Sequence, residues 1–264
     1  FSAILPEDFQ YFGMWIFICH LLTAYYSVKI LQLFTTKIFY IVPGALLIAF
    51  NPVIIYRMLH PSLCAHFFIV AALYVYLQQP TSKNVKRLNR IQILVTILSS
   101  LVSPYLCLIM AGFNIILPLK QYIYNKLITP KQLIIYPLAA FSGVLMIWFV
   151  LGMLVPGDST NLEVANGYGL YGLNLNSLYN SHGFSSVLPQ LQIENPFQYE
   201  GFMYLGLGIM VLIVTGLFIL GTAMPRIFTR NREYILPLFI LALVFAVFAV
   251  THKVTLGKHV LVEL

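Results

Sequence analysis

The sequence predicts an all-α integral membrane protein, a bundle of about eight transmembrane or membrane-dipping helices with one long external loop. Three observations predict it. Hydrophobic residues make up 60% of the chain and charged residues only 9%, with a mean hydropathy of +0.87, whereas a soluble domain carries about 25% charged residues. Apolar segments recur from one end of the chain to the other, which a removable secretory signal does not explain. The basic residues collect in short stretches between those segments, where they orient membrane helices.

The segments lie at 9–28, 38–56, 62–78, 91–103, 105–119, 133–154, 203–221 and 234–250. Segment 38–56 is broken by Pro43 and again by Asn51-Pro52, which read as a cap and first-turn proline opening a short helix. Segments 91–103 and 105–119 are each too short to cross alone, and could join as one span or turn back at Ser103-Pro104-Tyr105. Charge decides for the hairpin. It places both acid-free basic loops, with Lys83, Lys86, Arg87 and Arg90 in one and Lys120, Lys126 and Lys131 in the other, on the cytoplasmic side. Twelve of the fifteen Lys and Arg residues then lie inside, all but Arg57, Lys253 and Lys258, and seven of the eight acids lie outside. Both ends of the chain and loop 155–202 fall on the extracytoplasmic side. Residues 1–264 read as a single transmembrane domain, expected to be part of a longer protein, with no internal repeat.

Composition also removes several function classes. The net charge of +7 forms no basic stripe interleaved with aromatics, so no nucleic-acid partner is expected. Cys19, Cys64 and Cys107 lie in apolar stretches without metal or redox spacing and read as small hydrophobes. No HExxH, nucleotide loop or nucleophile elbow occurs, and no metal ligand set is assigned, although a divalent metal is possible.

Two external features remain. Loop 155–202 is rich in Gly, Asn, Tyr and Ser, and its aromatics (among them Tyr168, Tyr171, Tyr179, Phe184, Phe197 and Tyr199) argue for an ordered lid. Its asparagines form no N-x-Ser/Thr sequon, in keeping with a bacterial envelope protein. The second feature is NPVIIYRMLHPSLCAH, residues 51–66. Arg57 and His60 are expected on one helix face, with His66 about one turn into the next segment. A guanidinium fork and two imidazoles suit a phosphate. The plainer readings are that Arg57 snorkels to headgroups, His60 caps a helix and His66 satisfies a carbonyl. His20 reads as structural, His182 as a candidate within NSHGFSS, and His252 and His259 as lipid contacts. Glu200 stands before the apolar run 203–221, flanked by Tyr199 and Phe202. It reads either as an anchor favoured by the helix dipole or as a carboxylate facing a cavity, binding acceptor or sugar hydroxyls or pairing with Arg57.

The stretches GYGLYGLNLNSLYN, SSVLPQL and QYEGFMYLGLG, together with NPVIIYRMLHPSLCAHFFIVAALYVYL, resemble an uncharacterised bacterial family of multi-spanning membrane proteins related to the GT-C superfamily of lipid-dependent glycosyltransferases. The resemblance runs through most of the chain. It implies a GT-C-like bundle, a polyprenyl-phosphate-sugar donor, and transfer on the outer face to a glycan, lipid or protein acceptor. It also implies a catalytic carboxylate in the first external loop. Glu7 and Asp8 fall where the tail of such a loop would be, and neither is assigned as the base. On this reading Glu200 is the candidate catalytic carboxylate, and Arg57, His60, His66, Tyr199 and His182 line the substrate site. The competing expectation is a transporter or non-catalytic assembly protein for envelope polysaccharide. That would call for an internal repeat and a mid-membrane polar constellation. The sequence offers neither, its polar residues gathering at the outer face instead.

Overall fold

The computed structural model describes residues 10–154 and 170–263. Glu7, Asp8, Tyr168 and the rest of 155–169 in the external loop lie outside the described residues. The chain divides into two units, Phe1–Phe50 with Ile54–Ile147, and Asn51–Val53 with Trp148–Leu264.

In the first unit α1 (Phe12–Leu31) is 20 residues long, about 30 Å at the helical rise and enough for a hydrocarbon core. α2 (Ile38–Ala49) carries Pro43 within it, and α3 (Pro52–Tyr56) starts where Asn51 Oδ1 accepts the Val53 N–H at 2.9 Å. The expected cap and first-turn proline are therefore both in place. Two short 3-10 turns, Arg57–Leu59 and Pro61–Cys64, lead into α4 (Phe67–Leu77). α5 (Val85–Ser100), α6 (Pro104–Ile123) and α7 (Pro130–Val150) follow. α4 packs against α1, α5 and α6, and its Ala71, Ala72, Val75 and Tyr76 are buried.

Among the described residues, five helical stretches are long and apolar enough to cross a membrane: 12–31, 38–56, 104–123, 130–150 and 232–250. A sixth is obtained if the bent pair Leu207–Leu220 and Met224–Arg230 counts as one. α4 and α5 correspond to expected segments, α4 shorter than its segment and α5 longer. α5 also begins six residues earlier than hydropathy alone marks, because Lys86, Arg87 and Arg90 are good helix formers.

α5 and α6 form the hairpin that the charge pattern required. Ser103 is extended (φ −158°, ψ 131°) and Pro104 opens α6. Across the hairpin Asn114 Nδ2 donates to Thr96 Oγ1, and Asn89 Nδ2 donates to Gln121 Oε1 at 2.7 Å, the first pair nested inside the second. Thr96 Oγ1 in turn donates to the Gln92 carbonyl at 2.9 Å. These side chains, with Ser99, Ser100 and Lys120, are buried, while Phe17, Phe39, Phe141 and Met146 stand exposed on the outside. Polar groups inside and apolar groups outside is the arrangement that suits lipid. It also corrects the expectation that polar residues gather only at the outer face: the α5/α6 seam is a buried polar constellation. The sequence concealed it because Asn89, Gln92, Thr96, Asn114 and Gln121 are scattered singly through apolar text.

Lys120 fixes a further joint. It is fully buried, its Nζ donates to the Tyr76 carbonyl, and it lies 4.3 Å from the Tyr76 ring centroid. Tyr76 is in the last turn of α4, where carbonyls lack in-helix donors and the dipole favours a cation. Lys120 thus seats α6 on the end of α4.

The second unit contains α8 (Leu207–Leu220), α9 (Met224–Arg230), α10 (Arg232–Val250) and an antiparallel hairpin of β1 (Lys253–Leu256) and β2 (His259–Glu263). The hairpin corrects the all-α expectation. Thr251, at φ +67°, redirects the chain out of α10, and Gly257, at φ +61°, turns it between the strands. His252, His259, Lys253 and Lys258 therefore belong to a hairpin rather than a helix end. Lys253 Nζ lies 3.6 Å from Glu263 and 4.0 Å from Glu194.

Residues 170–206 contain little regular structure, yet are ordered by side-chain amides used as pegs. Asn174 Nδ2 donates to Gly257 O at 2.8 Å and to Gln198 Oε1 at 2.9 Å, and its Oδ1 accepts the Gly257 N–H at 2.9 Å. Gln198 Nε2 donates to Thr255 Oγ1 at 2.9 Å. Asn180 grips Leu191 at both ends, donating to its carbonyl at 3.1 Å and accepting its N–H at 2.9 Å. Asn176 donates to Gln192 O at 3.1 Å and Ser181 to Leu188 O at 3.0 Å. The recurrent asparagines of GLNLNSLYNS are thus the ties that hold a loop without strands.

Two outcomes follow from these bonds. Thr96→Ala and Asn114→Ala, compared singly and together by unfolding of the full chain in mixed micelles, should be coupled by about 0.6 kcal/mol; additive effects would mean the pair does not interact. Asn180→Ala should strand both polar groups of Leu191 and expose 183–190 to limited proteolysis, raising the cleavage rate about tenfold. A rate equal to the unaltered chain would show that other contacts hold the loop.

Candidate functional site

Two clusters contain the residues that the sequence singled out, one in each unit. In the first, the sharp path between α3 and α4 is held by two bonds. Trp15 Nε1 on α1 donates to Pro61 O at 2.7 Å, and Cys64 Sγ to Arg57 O at 3.0 Å. Proline at 61 cannot prolong the preceding turn, so the chain breaks there and restarts.

Arg57 starts a 3-10 turn, half-buried, with its guanidinium carbon 5.9 Å from the Tyr56 ring centroid. His60 closes that turn with φ −122° and ψ 81°, and is exposed. The expected shared α-helical face is therefore replaced by a 3-10 turn, in which residues three apart still align. His66 caps α4 rather than standing one turn into it, and is half-buried. Arg57 and His20 both lie within electrostatic reach of the His66 imidazole.

His20 is the residue that sequence reasoning set aside. Its Nδ1 lies 2.9 Å from the Ile16 carbonyl, and its ring 5.7 Å from Phe50. A carbonyl can only accept, so Nδ1 carries the proton, and Nε2 of the neutral ring is an acceptor. That Nε2 is buried without a hydrogen-bond partner. The signal was present in the sequence, since an ionisable residue within an apolar span points to function by default. Only the packing of α1 against α4 brings it to His66, 46 residues further on.

In the second unit Tyr199 and Glu200 sit on a 3-10 turn, Pro196–Gly201, capped by Asn195, whose side chain accepts the Phe197 N–H at 2.9 Å. Tyr199 is exposed and Glu200 half-buried. α8 begins only at Leu207, after extended residues and Gly206 at φ +84°. The dipole effect fades within a helix's first turn, so the anchor explanation of Glu200 loses its physical basis. Beside Glu200, Gly201 is closely packed by protein: a Cβ there would lie 3.1 Å from Gly172 O and from Leu173 Cα.

His182, at φ +45°, packs edge-on against Phe202 with ring centroids 5.5 Å apart, and Phe184 meets the same ring at 5.3 Å. Burial lowers the His182 pKa below its ordinary value and so favours the neutral ring. Phe202 and Tyr204 are almost fully buried, and the Tyr204 hydroxyl has no hydrogen-bond partner. Among the described residues no group of three His, Cys, Asp or Glu side chains could hold a metal ion.

The chain belongs to the DUF6311 family, a domain of unknown function, whose family model matches residues 1–264. No curated protein and no solved structure matches it.

Proposed function

We propose that the protein is a membrane glycosyltransferase of the GT-C type, moving a sugar from a polyprenyl-phosphate donor to an envelope glycan, lipid or protein acceptor on the outer face of a bacterial inner membrane. The observation that carries this reading is the convergence of Arg57, His66 and His20 at the break between α3 and α4. A guanidinium fork can take two phosphate oxygens, and histidine N–H groups add donors. The free lone pair on His20 Nε2 can accept a hydroxyl from the same donor. Within the second unit Glu200, Tyr199 and His182 lie on the tyrosine- and histidine-bearing loop and are read, by themselves, as polar contacts for sugar or acceptor hydroxyls.

In the proposed reaction the acceptor oxygen attacks the anomeric carbon while its proton passes to a carboxylate acting as general base, with Glu200 a supporting carboxylate that binds hydroxyls. The bond from that carbon to the phosphate oxygen breaks, and the leaving polyprenyl phosphate keeps the electron pair. Arg57 and the imidazole donors stabilise the charge that develops there. A second reading, a transporter for envelope polysaccharide, draws support from the buried α5/α6 seam, where the Gln92 amide has no hydrogen-bond partner.

Sugar transfer by purified full-length protein tests the first reading. Arg57→Lys should weaken donor binding at least tenfold although the charge is kept, because the fork is lost. Glu200→Gln should fold normally yet lose most activity, and Glu200→Ala should lose more. Full turnover in all three variants would remove both residues from the site. Flux of a labelled glycan through proteoliposomes without transfer would favour the transporter. Sidedness is tested by cysteines at exposed Ser186 and Ser82, the first expected to react with an impermeant reagent from outside and the second not; Asn180 is a buried peg and would not report. Reversed labelling would overturn the orientation.

A further inference from the structure

The first unit has a second polar opening, at the end of the bundle opposite Arg57. A cavity of about 270 Å³ lies between α1, α4 and the start of α5. Its floor is apolar, with Val75 and Leu88 almost fully buried, and its polar wall is Tyr26, Tyr74, Gln78 and Arg87. The Tyr26 and Tyr74 rings face one another with centroids 6.4 Å apart. Asn84 also borders the cavity, but its amide is committed to the turn, accepting the Thr81 N–H at 2.7 Å and donating to Gln79 O at 3.2 Å. Arg87, Tyr26, Tyr74 and Gln78 have no hydrogen-bond partner among the described residues.

Charge narrows what can fill this opening. The chain has no Asp or Glu from Phe9 to Gly157, so the described part of this unit has no carboxylate to offer Arg87. The same turn adds Lys83, Lys86 and Arg90, all exposed. Arg87 thus lines a cavity whose interior is apolar and whose rim bears two tyrosines, the side chain that settles at membrane interfaces, with three more cations close by in sequence. A ligand complementary to this surface has an anionic headgroup for Arg87 and a hydrocarbon portion for the floor. Basic pockets between membrane helices bind lipid headgroups on these terms.

We infer that the cavity between α1, α4 and α5 is a binding site for an anionic phospholipid, its phosphate held by Arg87 with Tyr26 and Tyr74 and its acyl chain laid over Val75 and Leu88. The site is separate from the Arg57 cluster and stands whether or not the protein transfers sugars.

Its test is the melting of the purified full chain in a neutral detergent, with dioleoyl phosphatidylglycerol, dioleoyl phosphatidylcholine or inorganic phosphate added. Phosphatidylglycerol should raise Tm in a saturable way, phosphatidylcholine should not, and inorganic phosphate should not at the same concentration. Arg87→Ala should weaken the apparent phosphatidylglycerol affinity about tenfold, the loss of one charge-assisted contact. Lys83→Ala, on the same turn but outside the cavity, should change it less than twofold. Equal shifts from both lipids, equal weakening by Lys83→Ala and Arg87→Ala, or inorganic phosphate acting as well as the lipid would overturn the proposal. If Arg87→Ala does not fold, Arg87→Gln replaces it, and retained phosphatidylglycerol affinity in that variant would overturn it equally.

Discussion

A buried amide has only other protein groups to bond to, whether lipid or folded chain shuts out the water, and both units are organised by that constraint. Where soluble proteins drive association by burying apolar surface, α5 and α6 gain little by it, because lipid is as apolar as leucine. What distinguishes the paired state is that Asn114 finds Thr96 and Asn89 finds Gln121. The same rule places a fully buried lysine on the end of α4, its Nζ donating to the Tyr76 carbonyl. In the second unit it turns asparagine into structure. Asn180 gives Leu191 both bonds that a neighbouring strand would give it, so a segment almost without regular elements is ordered by side chains.

These ties also decide what the candidate site can be. Catalytic or binding side chains need a scaffold that keeps their geometry, and the two clusters obtain it differently. Arg57 and His66 are positioned by a break in the helical path, pinned by Trp15 through Pro61 O and by Cys64 through Arg57 O. Because the break is a pair of 3-10 turns, the Arg57 guanidinium and the His66 imidazole sit where backbone donors are not all consumed within a helix. Glu200 and Tyr199 instead ride on a 3-10 turn whose middle residue, Gln198, is a buried peg to Thr255. A shift of the C-terminal hairpin would reach Glu200 through two hydrogen bonds, which gives that hairpin a reason to exist beside an otherwise helical unit.

Much of the helical plan was legible in the sequence, because hydropathy, proline positions and the placement of lysine and arginine all register on a linear chain. The α5/α6 hairpin is the best case. Apolar length left two readings of 91–119 open, charge chose one, and Ser103-Pro104 is where the chain turns. Less was legible wherever partners are distant in sequence. Asn114 alone in an apolar run looks like any tolerated polar residue until Thr96 lies opposite it. His20 looked structural because His66 is far along the chain. The hairpin 253–263 was hidden for a different reason: it is too short for an alternating pattern to stand out, and its purpose, to seat Asn174 and Gln198, is read only in three dimensions. Glu200 was misjudged locally, since apolar text beginning at Met203 suggested a helix that in fact starts at Leu207.

The charge inventory of the first unit adds a consequence that pairwise contacts do not. With no Asp or Glu among its described residues, its lysines and arginines cannot satisfy one another, and like charges crowded at one loop repel. In water that would cost little, because exposed cations are well hydrated and screened. Beside a membrane the balance differs, for each Lys or Arg near an anionic surface gains about 1 kcal/mol from it. A unit whose described charge is of one sign has no counter-charge among its own described residues. Lys120 is the exception that defines the rule: buried away from any headgroup, it is held by a carbonyl and a tyrosine ring. Arg87, at the rim of an apolar cavity and exposed, is placed to take its counter-charge from outside.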